Sequence, residues 1–194
     1  DTDAGFYYRK RPEAVAKVLY KFDLVERPYI LYVGKLEHRK NHQTLLEAFK
    51  SVLHQIPDDL VLVGDRGDTA DGVLDRLGEF EGRLRWLGQV EADDLVNLYD
   101  GCAFTVYPSV FEGFANSLLE SMRRGKAILS SAGSCFEEIA GKAAIYANPK
   151  VAAEFSEGMV ALSTEMETRR KLEQVAITEC KRFDSKALVE QLFQ

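Results

Sequence analysis

Cysteine is scarce in this chain of 194 residues, and basic residues are fewer than acidic ones. Its three cysteines, Cys102, Cys135 and Cys180, lie far apart without a C-x-x-C pair. This pattern disfavours a disulfide framework or a zinc site and favours reduced thiols in a cytoplasmic setting. The 31 Asp and Glu residues outnumber the 25 Lys and Arg residues, the net charge is -6, and no long basic tract occurs. Nucleic acid is therefore not an expected partner.

Long apolar runs and two glycine-rich nucleotide motifs are also missing. No run approaches the roughly 18 apolar residues of a membrane span, and no signal-peptide pattern is visible. A nicotinamide-binding fold would carry Gly-x-Gly-x-x-Gly after its first strand, but Val33-Gly34-Lys35-Leu36 supplies one glycine. A Walker-type Gly-Lys-Ser/Thr loop is absent too. Dinucleotide oxidoreduction and P-loop chemistry are thus disfavoured. The first residue is Asp1, which is compatible with a fragment of a longer protein.

The chain does contain short buried strands that alternate with amphipathic helices. The predicted strands are Tyr29–Val33, Leu60–Val63, Leu84–Leu87, Cys102–Val106, Ala127–Ser130 and Ala143–Tyr146. The predicted helices between them lie around Leu45–Leu53, Val73–Leu77 and Leu95–Tyr99, from about Ala115, and near Phe136–Ile139. This alternation predicts an α/β, Rossmann-like fold in which a parallel sheet has helices on both faces.

The two ends of the chain have a different character. Residues 1–28 are predicted to be a linker and a lead-in helix from about Pro12, because proline suits a first helical turn. After Asn148-Pro149 only helices are expected, at Val151–Glu165, Glu167–Cys180 and Ser185–Phe193. Residues 29–194 are therefore predicted to form one domain that ends in a helical C-terminal tail.

Two carboxylates follow the strand Cys102–Val106 in the stretch from residue 107 to residue 120. Glu112 lies in the loop and Glu120 in the helix that comes next, with Gly113 between them. The C-terminal ends of parallel strands face a crevice, and a helix N-terminus offers free N–H groups to an anion. Taken alone, both glutamates would be better explained as surface charges at a helix start.

A basic loop follows the first strand and contains Lys35, His38, Arg39 and Lys40. Its spacing fits either a solvated charge run or a clamp that neutralises phosphate. His38 and His42 fit structural or surface roles better than catalysis, and no second His/Cys cluster indicates a metal site. Because this loop and the glutamate loop follow strands of the same predicted sheet, the phosphate-clamp hypothesis gains support.

Four blocks of the chain, in the family's order, resemble the C-terminal donor-binding domain of GT-B retaining glycosyltransferases of family 4, the glycosyl transferases group 1. They are residues 33–41, 108–114, 119–122 and 141–149. The resemblance implies one half of a GT-B fold, with residues 29–194 as the nucleotide-sugar-binding domain. It also implies an enzyme that moves a sugar from a UDP- or GDP-sugar to a glycan or lipid-linked acceptor, without a metal ion or other cofactor.

The resemblance further implies that a missing N-terminal acceptor-binding domain is a partner, so that the isolated domain would be inactive. Such an enzyme would be cytoplasmic and able to associate peripherally with the inner face of the membrane. Two rival functions remain open. One is a non-catalytic module that binds a nucleotide-sugar, and the other, which fits the Glu112 block less well, is a nucleotide-sugar epimerase.

Roles for five charged residues follow from the resemblance. Glu112 would meet hydroxyls of the donor sugar near the reacting carbon, and Glu120 would accept hydrogen bonds from the ribose. Lys35 and Lys40, with Arg39 as a neighbour, would stabilise the departing diphosphate. These assignments make Glu112, Lys35 and Lys40 the candidate catalytic residues.

The remaining donor-binding positions implied by the resemblance lie in loops: Gly34, Gln89, Val90, Gly113, Phe114 and Ala115. Backbone N–H groups around Gly113, Phe114 and Ala115 would hold the sugar or the distal phosphate, and the loop with Gln89 and Val90 would lie near the nucleobase. The chain departs from the family pattern at Ala115-Asn116-Ser117, where Gly-Leu-Pro is usual, and at Arg123-Arg124, where small residues are frequent. The first departure leaves donor preference and activity open.

Overall fold

The computed structural model describes residues 12–183, so the predicted lead-in at residues 1–11 and the predicted helix Ser185–Phe193 lie outside the described residues. Six parallel strands form one sheet in the order β3-β2-β1-β4-β5-β6. The strands are β1 (Tyr29–Val33), β2 (Asp59–Val63), β3 (Leu84–Trp86), β4 (Phe104–Tyr107), β5 (Ile128–Ser131) and β6 (Ala144–Ala147). The predicted α/β, Rossmann-like sheet is confirmed.

Within residues 12–183, eight α-helices accompany the strands. They are α1 (Pro12–Lys21), α2 (His42–Val52), α3 (Ala70–Leu74), α4 (Ala92–Gly101), α5 (Asn116–Arg123), α6 (Phe136–Ala140), α7 (Ala152–Thr164) and α8 (Met166–Glu179). Short 3₁₀ turns occupy His38–Lys40, Leu77–Phe80 and Cys180–Phe183. The helical C-terminal tail is confirmed by α7 and α8. The predicted boundary between a lead-in segment and the domain at residue 28 stays a prediction. Helix α1, which precedes it, packs against α4 of the domain.

Both faces of the sheet are buried, which explains why its strands are nearly continuous apolar runs. Side chains alternate across the sheet, so that Ile30 of β1 faces one side and Leu31 the other. Helices α2, α3 and α7 cover the first side, where Phe49 and Phe155 are fully buried. The opposite side is covered by α1 and α4 over β1 and β2, and by α5, α6 and α8 over β4 and β5.

Two element boundaries differ from the predicted ones for local reasons. The helix predicted around Val73–Leu77 is a short α3 followed by a 3₁₀ turn, in a segment that contains Gly72 and Gly78. Glycine disfavours a continuous helix because it has the greatest backbone freedom to lose. Strand β4 begins at Phe104, not at Cys102, because the Cys102 amide donates to the Leu98 carbonyl at 3.0 Å and so closes the end of α4.

The strand order reverses between β1 and β4, which are neighbours in the sheet although two strands separate them in the chain. The connections after these two strands run to opposite sides, so a crevice opens between them at the C-terminal edge of the sheet. Crevices at such reversal points are where ligands bind in open α/β sheets. The basic loop follows β1 and the Glu112 loop follows β4, so the fold brings both to this crevice.

Arg124, one of the residues that depart from the family pattern, has a structural role in this chain. Its guanidinium binds the Asp100 carboxylate through Nε at 2.7 Å and through a second contact from Nη2, and both residues are buried. The Lys126 ammonium lies beside this pair and donates to the carbonyls of Asp100 (2.8 Å) and Cys102 (2.7 Å). The buried charges therefore connect the end of α4 to the segment between α5 and β5.

We expect Asp100→Ala to lower the free energy of unfolding by about 3–5 kcal/mol, because it leaves a buried guanidinium without its carboxylate. Urea denaturation of the two proteins measures this difference. The control is Lys50→Ala, which removes an exposed surface ion pair with Glu79 and should change stability little. A loss for Asp100→Ala no larger than that of the control would contradict the prediction.

Candidate functional site

The loops that follow β1 and β4 are held together by backbone and amide hydrogen bonds. The Val110 amide donates to the Arg39 carbonyl at 2.9 Å. The Asn41 side chain donates to the carbonyls of Pro108 (3.0 Å) and Pro149 (2.7 Å). Asn41 adopts a left-handed backbone conformation with φ 56°, which asparagine tolerates better than most residues. One side chain thus joins the loops after β1, β4 and β6.

Glu112 lies where these loops meet and is only 8% exposed. Its carboxylate contacts the Lys40 ammonium through Oε1 and the Arg39 guanidinium through Oε2, the second at 2.5 Å. The Ser109 hydroxyl donates to Oε1 at 3.0 Å. A buried carboxylate is costly unless it is paired and hydrogen-bonded, and both oxygens of Glu112 meet this requirement.

The backbone of Glu112 is fixed by Ser134, which follows β5. The Ser134 hydroxyl accepts from the Glu112 amide at 3.1 Å and donates to the Glu112 carbonyl at 2.8 Å. Ser134 itself has φ 55°, a conformation that normally favours glycine. The loops after three neighbouring strands, β1, β4 and β5, therefore converge on one glutamate.

Lys35, predicted to act with Lys40, makes a different contact. Its ammonium pairs with Glu37 at 3.4 Å and its side chain is half exposed, whereas the Lys40 side chain is largely buried against Glu112. Glu37 also accepts from Arg39 Nε at 3.1 Å. Three cations and two carboxylates thus form the Arg39–Lys40 cluster, defined here as Lys35, Glu37, Arg39, Lys40 and Glu112. Its excess of one positive charge favours an anionic ligand.

Four residues predicted from the sequence line one cavity of about 300 Å³, namely Gly34, Lys35, Gln89 and Val90. It opens beyond the C-terminal ends of β1 and β2, beside the start of α4. A Cβ at Gly34 would lie 2.7 Å from the Tyr32 hydroxyl oxygen and 3.6 Å from Lys40 Nζ. Only glycine leaves room there, and Gly34 lies next to both the cavity and the Arg39–Lys40 cluster. The role of Gln89 and Val90 toward a nucleobase stays a prediction.

Glu120 has surroundings of its own on α5. The Tyr99 hydroxyl donates to Glu120 Oε2 at 3.0 Å, so α4 orients this carboxylate. Burial raises the pKa of Glu120, while the Tyr99 hydroxyl and the nearby Arg123 oppose that rise. Within residues 12–183 no hydrogen bond or ion pair links Glu120 to Glu112. The two glutamates therefore have separate sets of contacts.

The three positions before α5 leave space in front of the helix. A Cβ at Gly113 would meet no atom within 4 Å, and the Phe114 ring is 50% exposed, with its edge toward Phe183. Ala115 is buried and provides no side-chain cap for α5. The first amides of a helix without such a cap can bind an anion. The ligand contacts predicted for these residues stay predictions.

Sequence reasoning assigned no role to several residues that hold the site together: Glu37, Asn41, Tyr99, Ser109 and Ser134. Two of them had a detectable signal. Ser109 lies three residues before Glu112 in the same loop, and Ser134 follows the C-terminal end of the strand next to β4. The hydrogen bonds of Asn41 and Tyr99 depend on segments far away in the chain and become visible only in the folded structure.

Residues 12–183 contain no group of three or more His, Cys, Asp or Glu side chains that could hold a metal ion. In the same range no helix is both long enough and apolar enough to cross a bilayer.

Curated relatives of the chain include mannosyltransferases. It is 36% identical over 148 residues to O-antigen chain mannosyltransferase B of Escherichia coli, a match that covers 74% of this chain and 39% of the relative. It is 32% identical over 114 residues to phosphatidyl-myo-inositol mannosyltransferase of Mycolicibacterium smegmatis, covering 57% of this chain and 29% of the relative. The chain thus spans well under half the length of either relative.

Solved structures share the fold at low sequence identity. Sucrose-phosphate synthase from Thermosynechococcus elongatus matches all of this chain with a TM-score of 0.82 and 22% identity, over 49% of its own length. Anabaena HepE in complex with UDP-glucose matches 97% of this chain with a TM-score of 0.84 and 17% identity, over 53% of its own length. The domain is therefore one half of a GT-B fold.

A family model agrees with the similarity to these proteins. The model described as "Glycosyl transferases group 1" matches residues 27–165, which include all six strands and every predicted site residue. Together with the relatives, this match shows that the chain belongs to the glycosyl transferases group 1 family.

Proposed function

We propose that this chain is the donor-binding domain of a retaining glycosyltransferase that moves a sugar from a UDP- or GDP-sugar to a glycan or lipid-linked acceptor. One observation carries the proposal. Glu112 is held by Arg39 and Lys40 in the crevice where the strand order reverses. The Glu112 carboxylate can accept hydrogen bonds from sugar hydroxyls, and the net positive charge of the Arg39–Lys40 cluster favours a diphosphate. A ligand that combines the two groups therefore suits this site.

The leaving diphosphate is the group that the cluster would stabilise. As the bond from the anomeric carbon to the diphosphate oxygen breaks, negative charge grows on the phosphate. Lys35 is half exposed and can reach an incoming anion, and Lys40 lies behind it against Glu112. Fixed charges aimed at a developing charge are among the strongest catalytic devices, and here they would act without a metal ion. The acceptor hydroxyl would attack from the same face of the sugar, and its proton would pass to an oxygen of the departing diphosphate.

Binding of the nucleoside would fall to Glu120 and to the 300 Å³ cavity. The Glu120 carboxylate is oriented by Tyr99 and could accept hydrogen bonds from the ribose hydroxyls. Gln89 and Val90 line the cavity at a distance along the sheet from Glu112 and would lie near the base. Because two relatives are named mannosyltransferases, we propose mannose as the donor sugar.

Transfer would need a second domain that holds the acceptor. The chain covers 39% of its Escherichia coli relative and about half of each structural neighbour. We therefore propose an N-terminal acceptor-binding domain as its partner, and little or no transfer by this polypeptide alone. The complete enzyme would work in the cytoplasm, at the inner face of the membrane where lipid-linked acceptors are available.

A second candidate function is a module that binds nucleotide-sugars without transferring them. Two observations favour it. Both oxygens of Glu112 are already paired, and the usual Gly-Leu-Pro is replaced by Ala115-Asn116-Ser117. Nucleotide binding is common to both candidates, whereas transfer is expected only of the first.

Calorimetric titration of the purified chain with UDP, GDP, ADP and their sugars tests the donor class. We expect binding of a UDP- or GDP-sugar, and Lys35→Gln should weaken it about tenfold, because one exposed cation near the diphosphate is lost. Lys17→Gln, which removes an exposed charge on α1, is the matched control and should leave the affinity unchanged. Two results would count against the assigned donor. The chain could bind UDP, GDP and ADP with equal affinity, or it could bind none of them.

Glu112→Gln separates catalysis from binding. In a polypeptide that joins this chain to its acceptor-binding domain, we expect transfer to fall about 10²–10³-fold, because the substitution removes charge at the reacting carbon. Donor affinity should change little. The readouts are kcat for transfer and the calorimetric Kd. Equal losses in both would make Glu112 a binding residue, and transfer by the unjoined chain would refute the half-enzyme proposal.

Donor binding should weaken as the pH falls, because ribose hydroxyls need the ionised form of Glu120. Burial raises the pKa of Glu120, so the loss should begin at a higher pH than it would for an exposed glutamate. Glu120→Gln should remove this pH dependence. Tyr99→Phe should move its midpoint upward, because the lost hydroxyl stabilises the carboxylate. Nucleotide affinity measured across the pH range checks both, and an unchanged profile in Glu120→Gln would exclude Glu120.

A further inference from the structure

A second cavity, of about 440 Å³, lies beside the His38–Lys40 turn. It is separate from the 300 Å³ cavity that Gly34 and Val90 line. It opens between the start of α2 and the segment that contains α3. Leu46 and Val73 form its apolar part, and both side chains are buried among their neighbours. Its volume falls within the roughly 300–1,000 Å³ typical of small-molecule sites. Nothing in the donor-binding role described above uses this cavity.

The cavity shares its wall with the loops that hold Glu112. Asn41 and Val110 both line it, and these two residues carry the hydrogen bonds that join the loop after β1 to the loop after β4. A molecule in this cavity would therefore lie next to the Arg39–Lys40 cluster, on the side away from the proposed nucleotide position.

The lining of the 440 Å³ cavity has a different charge balance from the Arg39–Lys40 cluster. The lining contains one carboxylate, Asp68, and one guanidinium, Arg76. Burial lowers the pKa of His42 to about 4, with a further lowering by Lys40, so this imidazole is neutral at pH 7. Opposite charges that balance one another favour a neutral polar molecule over a phosphate.

The two charged groups of the lining are oriented by contacts with other residues of the protein. Asp68 Oδ1 accepts from the His38 amide at 2.9 Å, and Arg76 Nε lies 3.3 Å from Glu79 Oε1. A few oriented polar groups around an apolar floor give a small-molecule site its specificity. This composition matches a sugar ring, which has an apolar C–H face and a rim of hydroxyls.

Exposed apolar side chains continue from the cavity toward Glu112. Val110 is 49% exposed and Phe111 is 64% exposed. Among the described residues, three of the seven large exposed apolar side chains fall between residues 110 and 114. Such clustering marks a binding surface more often than chance exposure does, and an aromatic ring can cover the C–H face of a sugar.

We propose that this cavity binds a neutral hexose unit of the acceptor glycan and so orients the glycan beside Glu112. The proposal rests on the glycosyltransferase function proposed above. It assigns part of the recognition of the acceptor to the donor-binding domain, through Asp68, Arg76 and Val110.

Gly72 allows a test that leaves the fold intact. Gly72 lines the cavity, and a Cβ placed on it would meet no atom within 4 Å. Gly72→Leu would therefore fill empty space with a side chain that α3 accepts readily. Gly78 also has no atom within 4 Å of a Cβ, and it is not part of the cavity. Gly78→Leu is thus the matched control.

The experiment titrates an α-linked mannobiose into the purified chain, followed by NMR chemical-shift changes, with a parallel titration of UDP- and GDP-sugars. We expect the disaccharide to bind at about millimolar Kd, with shifts at Asp68, Gly72 and Val110. Gly72→Leu should weaken disaccharide binding about tenfold or more and leave nucleotide-sugar affinity unchanged. Gly78→Leu should change neither.

Three results would overturn the proposal while the donor site stands. They are nucleotide-sugar binding without disaccharide binding, disaccharide binding that Gly72→Leu does not affect, and loss of nucleotide-sugar affinity in Gly72→Leu. Failure of the proposed function looks different, because then the unchanged chain binds no nucleotide-sugar. In the joined two-domain polypeptide, Gly72→Leu should raise the KM for the acceptor and leave the KM for the donor unchanged.

Discussion

The pairing of Glu112 with Lys40 and Arg39 is the contact on which the rest of the site depends. It joins charges from two loops that start at neighbouring strands, β1 and β4, yet belong to segments about 70 residues apart in the chain. Each partner would be costly to bury alone. The parallel register of β1 and β4 therefore determines whether the Glu112 carboxylate meets its two cations. The charges of the site are compensated only in the correctly folded sheet.

Unfavourable backbone conformations surround this contact. Asn41 and Ser134 both have φ near 55°, a region that non-glycine residues rarely adopt. In each case side-chain hydrogen bonds to a neighbouring loop offset the local cost, and these bonds fix the position of the Glu112 loop. Strain held at a site in this way is typical of residues that must keep one geometry when a ligand binds. The same hydrogen bonds tie the loops after β1, β4 and β5 to one another.

The fold could be predicted because its signals are local. Apolar runs mark the six strands, the first three of which end at a glycine, and amphipathic spacing marks the helices between them. The order of the elements along the chain and the fold class therefore followed from short windows of sequence. The contacts within the site were harder to predict from the sequence. Glu112, Arg39 and Lys40 could be chosen from their loops, but the partner of Lys35 is Glu37, two residues away, and not Glu112. Spacing does not reveal which of several cations reaches a given carboxylate, because side-chain reach and burial decide it. Arg124 illustrates the same limit, since its buried pairing with Asp100 could not be inferred from an unusual residue before a glycine.

The departure at Ala115-Asn116-Ser117 changes the start of α5 in a specific way. The Ser117 carbonyl accepts from the Tyr107 hydroxyl at 2.7 Å and lies 3.1 Å from the hydroxyl oxygen of Tyr99, whose proton goes to Glu120, so this segment contacts the tyrosine that orients Glu120. A proline at position 117 could keep that carbonyl but would have no N–H group. Serine therefore adds one amide donor at the first turn of α5, where helix dipole and free N–H groups already favour an anion. Ala115 is buried below this turn and does not extend into the space before the helix. The Ser117 amide thus adds a donor at the end of the site where we propose that phosphate binds, so we expect this departure to alter donor contacts.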